Sequence, residues 1–350
     1  MIKILYFKTK ESTFILKDQQ ILQGNFDTGT FRINTSTTFK YVLSIIKVTL
    51  YLAFFSWKYD VFFIRFADWH TAILAFFKKL YNKKLFIVIG GYDVAAIQEI
   101  NYGAHINKRR SKFINYSLRN ATWLLPNSKS LIYYENMFIS DQIVYGGIEY
   151  FVKKTNARIQ VVPNGFDSNI WKPIKDIPKR KMALTVAMVN DMKTFYLKGL
   201  DKFIQCAFSL PNYEFVIIGL NISLIEKNNI DYPQNIKIMG PQLPHQLLRY
   251  YSEAKLFCLF SLSEGMPNVL CEAMLCECIP VGTNVTSIPE IIENTGFIIK
   301  ERNLSAYLIE VNKAFEAEKS LQILARKRIM EYFSFEKREK KLVEIIKSSF

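Results

Sequence analysis

Histidine is scarce in this 350-residue chain: His70, His105 and His245 are the only three. Cysteine is scarce too, and the five present are an odd number. Cys271, Cys276 and Cys278 crowd together, but their spacing matches no zinc pattern, so they read as buried reduced thiols of a cytosolic protein. No Asp-x-Asp triplet occurs, which removes the carboxylate pair that commonly holds a divalent ion on a diphosphate. Also missing are a Gly-x-Ser-x-Gly elbow, a phosphate loop ending in Gly-Lys-Ser/Thr and a Gly-x-Gly-x-x-Gly turn. These absences exclude the commonest hydrolase nucleophile, the P-loop enzymes and the dinucleotide fingerprint. A membrane span wants about 20 uninterrupted apolar residues. The best candidate, residues 39–57, is broken by Lys47 and flanked by Lys40 and Lys58, so it reads as a buried or interfacial helix. The opening run, residues 1–7, soon meets Lys8 and Lys10 and does not read as a signal peptide.

Acid is in deficit: 31 Asp and Glu face 46 Lys and Arg, a formal net charge of +15. Such a surplus points to a polyanionic partner: nucleic acid, acidic lipid or a phosphorylated substrate. The cations are spread along the chain, with small clusters at Lys108-Arg109-Arg110 and Lys179-Arg180-Lys181. No zinc-finger spacing, basic-zipper heptad or RNA-binding aromatic pair accompanies them, so nucleic acid is not expected. An anionic membrane surface fits better. The expected location is the cytoplasm, with the inner face of the cell membrane as a resting place.

Hydrophobic residues make up 50% of the chain, enough for large cores, and the length suits two domains. Short apolar runs alternate with helical stretches: strand signals at 2–7, 61–66, 85–89, 122–125 and 159–162, and helical signals at 13–23, 39–57, 71–81, 108–119 and 129–138. A second alternating series runs from residue 183 to 299. Continuous apolar strands between helices predict parallel sheets covered on both faces. The segment Pro163-Asn164-Gly165-Phe166-Asp167, followed by Trp171-Lys172-Pro173, is the linker candidate. The predicted fold is therefore α/β, with two Rossmann-like doubly wound domains at 1–172 and 173–333 and a last helix in 334–350. Ligands would bind at the carboxyl ends of the strands, in a central cleft.

The most informative stretch is Ser263-Glu264-Gly265-Met266-Pro267-Asn268-Val269-Leu270-Cys271-Glu272-Ala273-Met274. Two glutamates lie seven residues apart, with Gly and Pro between them and an apolar run after. That order predicts strand, loop and helix start, with Pro267 in the first helical turn, where its missing N–H costs nothing. The amides from Gly265 to Leu270 would form a cradle for an anion. Lys198, before Gly199 at another helix start, adds a full positive charge where the dipole is already positive, which makes sense if an anion sits there.

The paired glutamates resemble the E-x7-E signature of group 1, or family 4, glycosyltransferases. Further matches follow in that family's order: Val162-Pro163-Asn164-Gly165-Phe166-Asp167, Leu197-Lys198-Gly199-Leu200-Asp201, then Pro280-Val281-Gly282-Thr283 and Ile288-Pro289-Glu290. The resemblance implies the GT-B fold and transfer of a sugar from a nucleotide-diphosphate donor with retention of configuration. It also implies a final helix that returns to the first domain; no cofactor and no metal are expected, because no Asp-x-Asp triplet occurs and Lys198 with a helix end can neutralise the diphosphate. Glu272 would bind ribose hydroxyls. Glu264 would meet the donor sugar and steady positive charge on its ring. The family's usual second cation is an arginine; here Lys193 is the candidate, and a solvated lysine is the alternative reading.

The first domain would hold a glycan or lipid-linked acceptor. Many family members carry histidine-glycine at the strand end occupied here by Gly90-Gly91, so a histidine role does not carry over. Asp93 is the nearest polar group, either a sugar or acceptor contact or a helix N-cap. Gly91, His70 and Glu99 are further acceptor-side candidates, each with a structural turn or polar loop as the plain alternative. The rival functions are a sugar-nucleotide epimerase of similar fold and a non-catalytic sugar-binding protein.

Overall fold

The computed structural model describes residues 1–140 and 142–350. Two compact units emerge: Met1–Tyr134, Tyr145–Gly165 and Glu336–Phe350 form unit 1, while Glu135–Val144 and Phe166–Phe335 form unit 2.

Unit 1 is built on six parallel strands: β1 (Lys3–Lys8), β2 (Asp27–Arg32), β3 (Val61–Arg65), β4 (Lys84–Ile89), β5 (Trp123–Pro126) and, after the short strands β6 (Tyr134–Asn136) and β7 (Val144–Gly146), β8 (Arg158–Ile159). The sheet order is β2-β1-β3-β4-β5-β8. Its helices are α1 (Thr13–Asn25), α2 (Thr38–Phe55), α3 (Trp69–Leu80), α4 (Lys108–Asn120), the single turn α5 (Ile148–Phe151) and α14 (Phe335–Lys347), the last of the chain. The central strands are apolar on both faces because both faces are covered. One face presents Leu5, Phe7, Phe62, Ile64, Leu85 and Ile87, and α2, α3 and α4 cover it with Val48, Leu52, Leu74, Ile114 and Leu118. Each such fully buried side chain contributes roughly 1.5–3 kcal/mol relative to exposure. The other face carries Tyr6, Phe63 and Phe86, with Phe63 and Phe86 stacked at 6.1 Å.

Unit 2 repeats the plan. Its strands are β9 (Arg180–Val189), β10 (Glu214–Leu220), β11 (Ile236–Met239), β12 (Ala254–Leu259), β13 (Ile279–Thr283) and β14 (Phe297–Ile299). They form one parallel sheet in the order β11-β10-β9-β12-β13-β14. Helices α6 (Met192–Leu197), α7 (Leu200–Ser209), α8 (Ile222–Lys227), α9 (Pro244–Glu253), α10 (Asn268–Leu275), α11 (Ile288–Ile292), α12 (Leu304–Glu316) and α13 (Lys319–Tyr332) surround it.

Four local expectations change. β2 carried no strand signal, because an edge strand reading Asp-Thr-Gly-Thr-Phe-Arg has no apolar face to show. The helix expected at 129–138 is a 3-10 turn at Lys129–Leu131 followed by β6, where burial alternates with period two. Pro267 stands at the N-cap of α10 and not inside its first turn. The chain leaves unit 1 at Gly165 and enters unit 2 at Phe166, earlier than the expected 172–173 boundary. The reason lies in two backbone bonds: Phe166 N–H donates to Phe333 O at 2.9 Å, and Phe335 N–H to Phe166 O at 3.0 Å. Trp171, packed on Tyr251 at 5.7 Å, is already part of the unit 2 core.

The interdomain motif has a physical explanation within unit 1. Arg338 of α14 donates Nη1–H bonds to the carbonyls of Val162 (2.9 Å) and Pro163 (2.7 Å). Arg65 at the end of β3 donates to the Asn164 side chain, and Lys17 of α1 donates to Gly165 O at 2.8 Å. Asp18 lies between the two guanidiniums, 2.7 Å from each.

Candidate active site

The unit 2 site begins where β12 ends. Residues 260–267 run from that strand to the start of α10, and three hydroxyls and one amide shape them. Thr283 Oγ1–H, at the end of β13, donates to Ser261 O at 2.6 Å. Thr286 Oγ1 accepts from Glu264 N–H at 3.0 Å. Ser261 Oγ–H donates to Glu264 Oε1 at 2.7 Å. Asn136 donates its side-chain N–H to Leu262 O at 2.8 Å. The loop is thus held from the adjacent strand and from the 135–144 excursion.

Lys198 is delivered to the same oxygen. α6 starts at the Asp191 cap, whose carboxylate accepts from Thr194 N–H at 2.7 Å. It ends where Lys198 is the C-cap and Gly199 turns into α7 with φ +64°. A Cβ at position 199 would lie 2.1 Å from the Phe260 carbonyl oxygen, so only glycine allows this approach. Leu262 N–H donates to Leu197 O at 2.8 Å and pins the turn to the loop. Lys198 Nζ then sits 2.6 Å from Glu264 Oε1, with the two side chains 26% and 12% exposed. One carboxylate oxygen therefore accepts from both an ammonium and a hydroxyl.

Beyond Glu264, Gly265, Met266 and Pro267 are buried, and Asn268, Val269 and Leu270 form the first turn of α10. The amides of that turn have no helical acceptor by construction and lie at the positive end of the helix. Glu272 is buried one turn further in. Tyr251 of α9 is its neighbour: burial, then the Glu272 charge, pushes the Tyr251 phenol well above the usual range. Lys193 is exposed on the first turn of α6. Five residues of helix put it roughly 140° around the axis from Lys198, so the two do not form a cationic pair on one face.

The unit 1 candidates lie at the ends of β3 and β4. Asp93 is fully enclosed. Its Oδ2 accepts from Ala67 N–H at 3.1 Å, and its Oδ1 from Gly90 N–H at 3.1 Å and Gly91 N–H at 2.9 Å. Burial raises its pKa, and the amides oppose that rise. The side chain brackets two strand ends together; it does not cap a helix, since Gly91 precedes the 3-10 turn Tyr92–Val94. A Cβ at position 90 would lie 1.9 Å from the Phe66 ring, so a histidine there would require that ring to move. His70, in the first turn of α3, is buried and its Nδ1 lies 3.0 Å from the Tyr41 hydroxyl. Burial lowers its pKa to about 4. Glu99 is exposed in the 3-10 turn Gln98–Ile100. The structure therefore brings Lys198, Gly199, Glu264 and the start of α10 together in unit 2, and Gly91 with Asp93 in unit 1.

Ser261, Thr286 and Asn136 also shape this candidate site, and the sequence alone does not single them out. Thr283 closes the Pro280–Thr283 motif and could have been found there; Asn136 carries no signal.

Comparison with known proteins gives a consistent result. Residues 183–316 match the family described as "Glycosyl transferases group 1". An Arabidopsis thaliana protein, named as a component of phosphatidylinositol N-acetylglucosaminyltransferase, is 24% identical over 166 residues, which is 45% of this chain. The match spans only 36% of that relative's length. A sucrose-phosphate synthase from Thermosynechococcus elongatus superimposes with a TM-score of 0.76 at 13% identity, over 100% of this chain and 99% of its own. The Anabaena protein HepE, solved with UDP and glucose, gives 0.70 at 14% identity, over 99% and 100%. The fold is GT-B, two Rossmann-like doubly wound units in one chain.

Proposed function

We propose that this chain is a retaining glycosyltransferase that moves a sugar from a nucleotide-diphosphate donor to a lipid-linked or cell-envelope glycan. The observation that carries the reading is the Lys198–Glu264–Ser261 cluster at the amino end of α10, inside the segment that matches group 1 glycosyltransferases. The diphosphate would meet the first-turn amides of α10 and the Lys198 ammonium, exchanging Lys198's bond to Glu264 for one to phosphate. Glu264, released on one side and still held by Ser261, would face the donor sugar, where its charge stabilises positive charge at the anomeric carbon. Glu272 would take the ribose hydroxyls. The reading needs no resident metal, because a cation and a helix end supply the charge for the diphosphate.

Transfer with retention is read as a front-face displacement. The anomeric carbon–oxygen bond to phosphate breaks as the acceptor oxygen bonds on the same face. The acceptor's proton passes to the leaving phosphate oxygen, so no protein base is required. Asp93, with both oxygens committed to backbone amides, is left out of the reacting set and reads as a positioning residue. The relative named for phosphatidylinositol supports a lipid-linked acceptor, as does the net charge of +15. The enzyme would work in the cytoplasm at an anionic membrane face.

The test is a thermal-shift and hydrolysis screen over UDP- and GDP-sugars, with Lys198→Ala and Glu264→Ala as controls. A stabilising donor whose hydrolysis falls in both variants is the expected result. Absence of binding by every nucleotide sugar would sink the reading.

A further inference from the structure

Unit 1 carries a second feature that the donor chemistry does not use. Helix α2 is long and apolar enough to cross a membrane, yet only 17% of its most apolar 18-residue stretch is buried. A single stripe, Ser44, Val48 and Leu52, is buried against the unit. Phe39, Phe54 and Trp57 stand 73%, 68% and 69% exposed. Beside them lies a trough of about 940 Å³, lined by Val42 and Ile46 of α2, Ile73 and Phe76 of α3, and Phe113 and Tyr116 of α4.

We propose that this α2–α3–α4 face docks on an anionic bilayer, with a lipid hydrocarbon chain seated in the trough. It narrows the membrane partner proposed above and does not depend on the donor chemistry.

Three observations select this occupant. First, the trough's lining is almost wholly apolar, and its Tyr41 and Thr49 hydroxyls are already used. The Tyr41 hydroxyl is bonded to His70 Nδ1 at 3.0 Å, and Thr49 Oγ1–H donates to Ile45 O at 2.8 Å. An occupant whose own backbone needs hydrogen bonds would leave them unmade there, whereas a hydrocarbon chain asks for none. Second, the charge is one-sided. Two lysines on α2, two on α3 and five lysines and arginines on α4 come with no aspartate or glutamate in any of the three helices, Arg110 among them being already paired with Asp68, the N-cap of α3, at 2.6 Å. Anionic headgroups complement such a face. Third, α2 is fitted to lie flat and not to cross. Val48 and Leu52 belong to the unit 1 core, and withdrawing the helix into a bilayer would empty that core. Trp57 and Lys58 at its end, with the Lys58 ammonium 4.8 Å above the Phe55 ring, pair an apolar body with a wet cation as an interfacial helix does.

The test is co-sedimentation of the full chain with phosphatidylcholine vesicles, with and without phosphatidylglycerol. The variants are Ile46→Asp and Phe76→Asp in the trough and Lys40→Glu with Lys47→Glu on α2, with folding checked by circular dichroism. The wild type should bind phosphatidylglycerol vesicles, and each trough variant should bind about tenfold more weakly or worse while remaining folded. The lysine pair should lose the preference for anionic vesicles. Nucleotide-sugar hydrolysis in solution should be the same in all of them. The proposal is overturned by a wild type that binds no vesicle, or by folded trough variants that bind as it does. It is also overturned if light scattering shows a self-association that Ile46→Asp abolishes, which would make the face a protein interface. Vesicle binding without any nucleotide-sugar turnover would sink the transferase reading and leave this one standing.

Discussion

Replacing Asp18 by Asn should loosen the last helix more than removing either of its cationic partners. The Asp18, Arg65 and Arg338 side chains are 1%, 2% and 2% exposed, so water screens none of them. One carboxylate neutralises two guanidiniums at 2.7 Å each. Take Asp18 away and two buried cations face each other with no counter-charge, a loss of about 3–5 kcal/mol. Take Arg338 away, as Arg338→Met, and Asp18 keeps Arg65. What is lost is the pairing with Asp18 and the donors to Val162 O and Pro163 O, each charge-assisted bond worth about 1.5–3 kcal/mol, offset by the several kcal/mol of desolvation that the Arg338 guanidinium no longer costs. The apolar triple variant Asp18→Leu, Arg65→Met, Arg338→Met should recover most of the loss, because no charge is left buried. Limited proteolysis, with release of residues 336–350 followed by mass spectrometry, reads the local effect, and urea unfolding the global one. The expected order of sensitivity is Asp18→Asn, then Arg338→Met, then the triple variant close to wild type. An Asp18→Asn protein as resistant as Arg338→Met would refute the argument that the carboxylate carries the cluster.

Three further outcomes are expected. Lys198→Ala should weaken donor binding about tenfold to a hundredfold, the worth of one charge-assisted bond, as read by calorimetry with the screened nucleotide sugar; unchanged affinity would end the clamp role. Gly199→Ala should destabilise unit 2 by more than about 1 kcal/mol in urea unfolding, because φ is +64° and the new Cβ has no space beside Phe260; a neutral result would mean the turn can shift. Burial lowers His70 and His105 to about 4 from 6.5, so both stay neutral when folded and take up protons when unfolded. Stability should therefore be whole above about pH 6.5 and fall as pH drops toward 4, and a melting temperature that stays flat over that window, or falls equally in His70→Asn with His105→Asn, would contradict it.

The strands that could be read from sequence are those buried on two sides. Val61–Arg65, Lys84–Ile89 and Glu214–Leu220 are continuous apolar runs because helices cover both faces of their sheets. β2 is an edge, and polar residues suit an edge, so no pattern announced it. The stretch 129–138 misled because a short run with two tyrosines and a phenylalanine fits a helix and a strand equally until its partner is known. The candidate site divides along the same line. Glu264, Lys198 and Gly199 were legible because charge next to glycine at a helix start has few structural uses. Ser261, Thr286 and Asn136 were not, since a hydroxyl or amide acquires its role only when a distant backbone group arrives.

Asp93 shows where residue type and position mislead. A carboxylate after Gly-Gly at a strand end looks available for sugar hydroxyls. Three backbone amides from two strand ends claim it instead, at 3.1, 3.1 and 2.9 Å. The same crowding disfavours a histidine: Phe66, itself at φ +70°, lays its ring where a Cβ of residue 90 would go. The two departures have one cause, a tight junction between β3 and β4 in which the space and the hydrogen-bonding capacity are already taken. A junction so filled offers no base there, in keeping with the proposed transfer in which the leaving phosphate accepts the acceptor's proton. Replacing Asp93 by Asn keeps two acceptor sites poorly matched to three donors, so it should lower stability and leave the pH dependence of turnover unchanged. Loss of an acidic limb that the wild-type profile shows would return Asp93 to the reacting set.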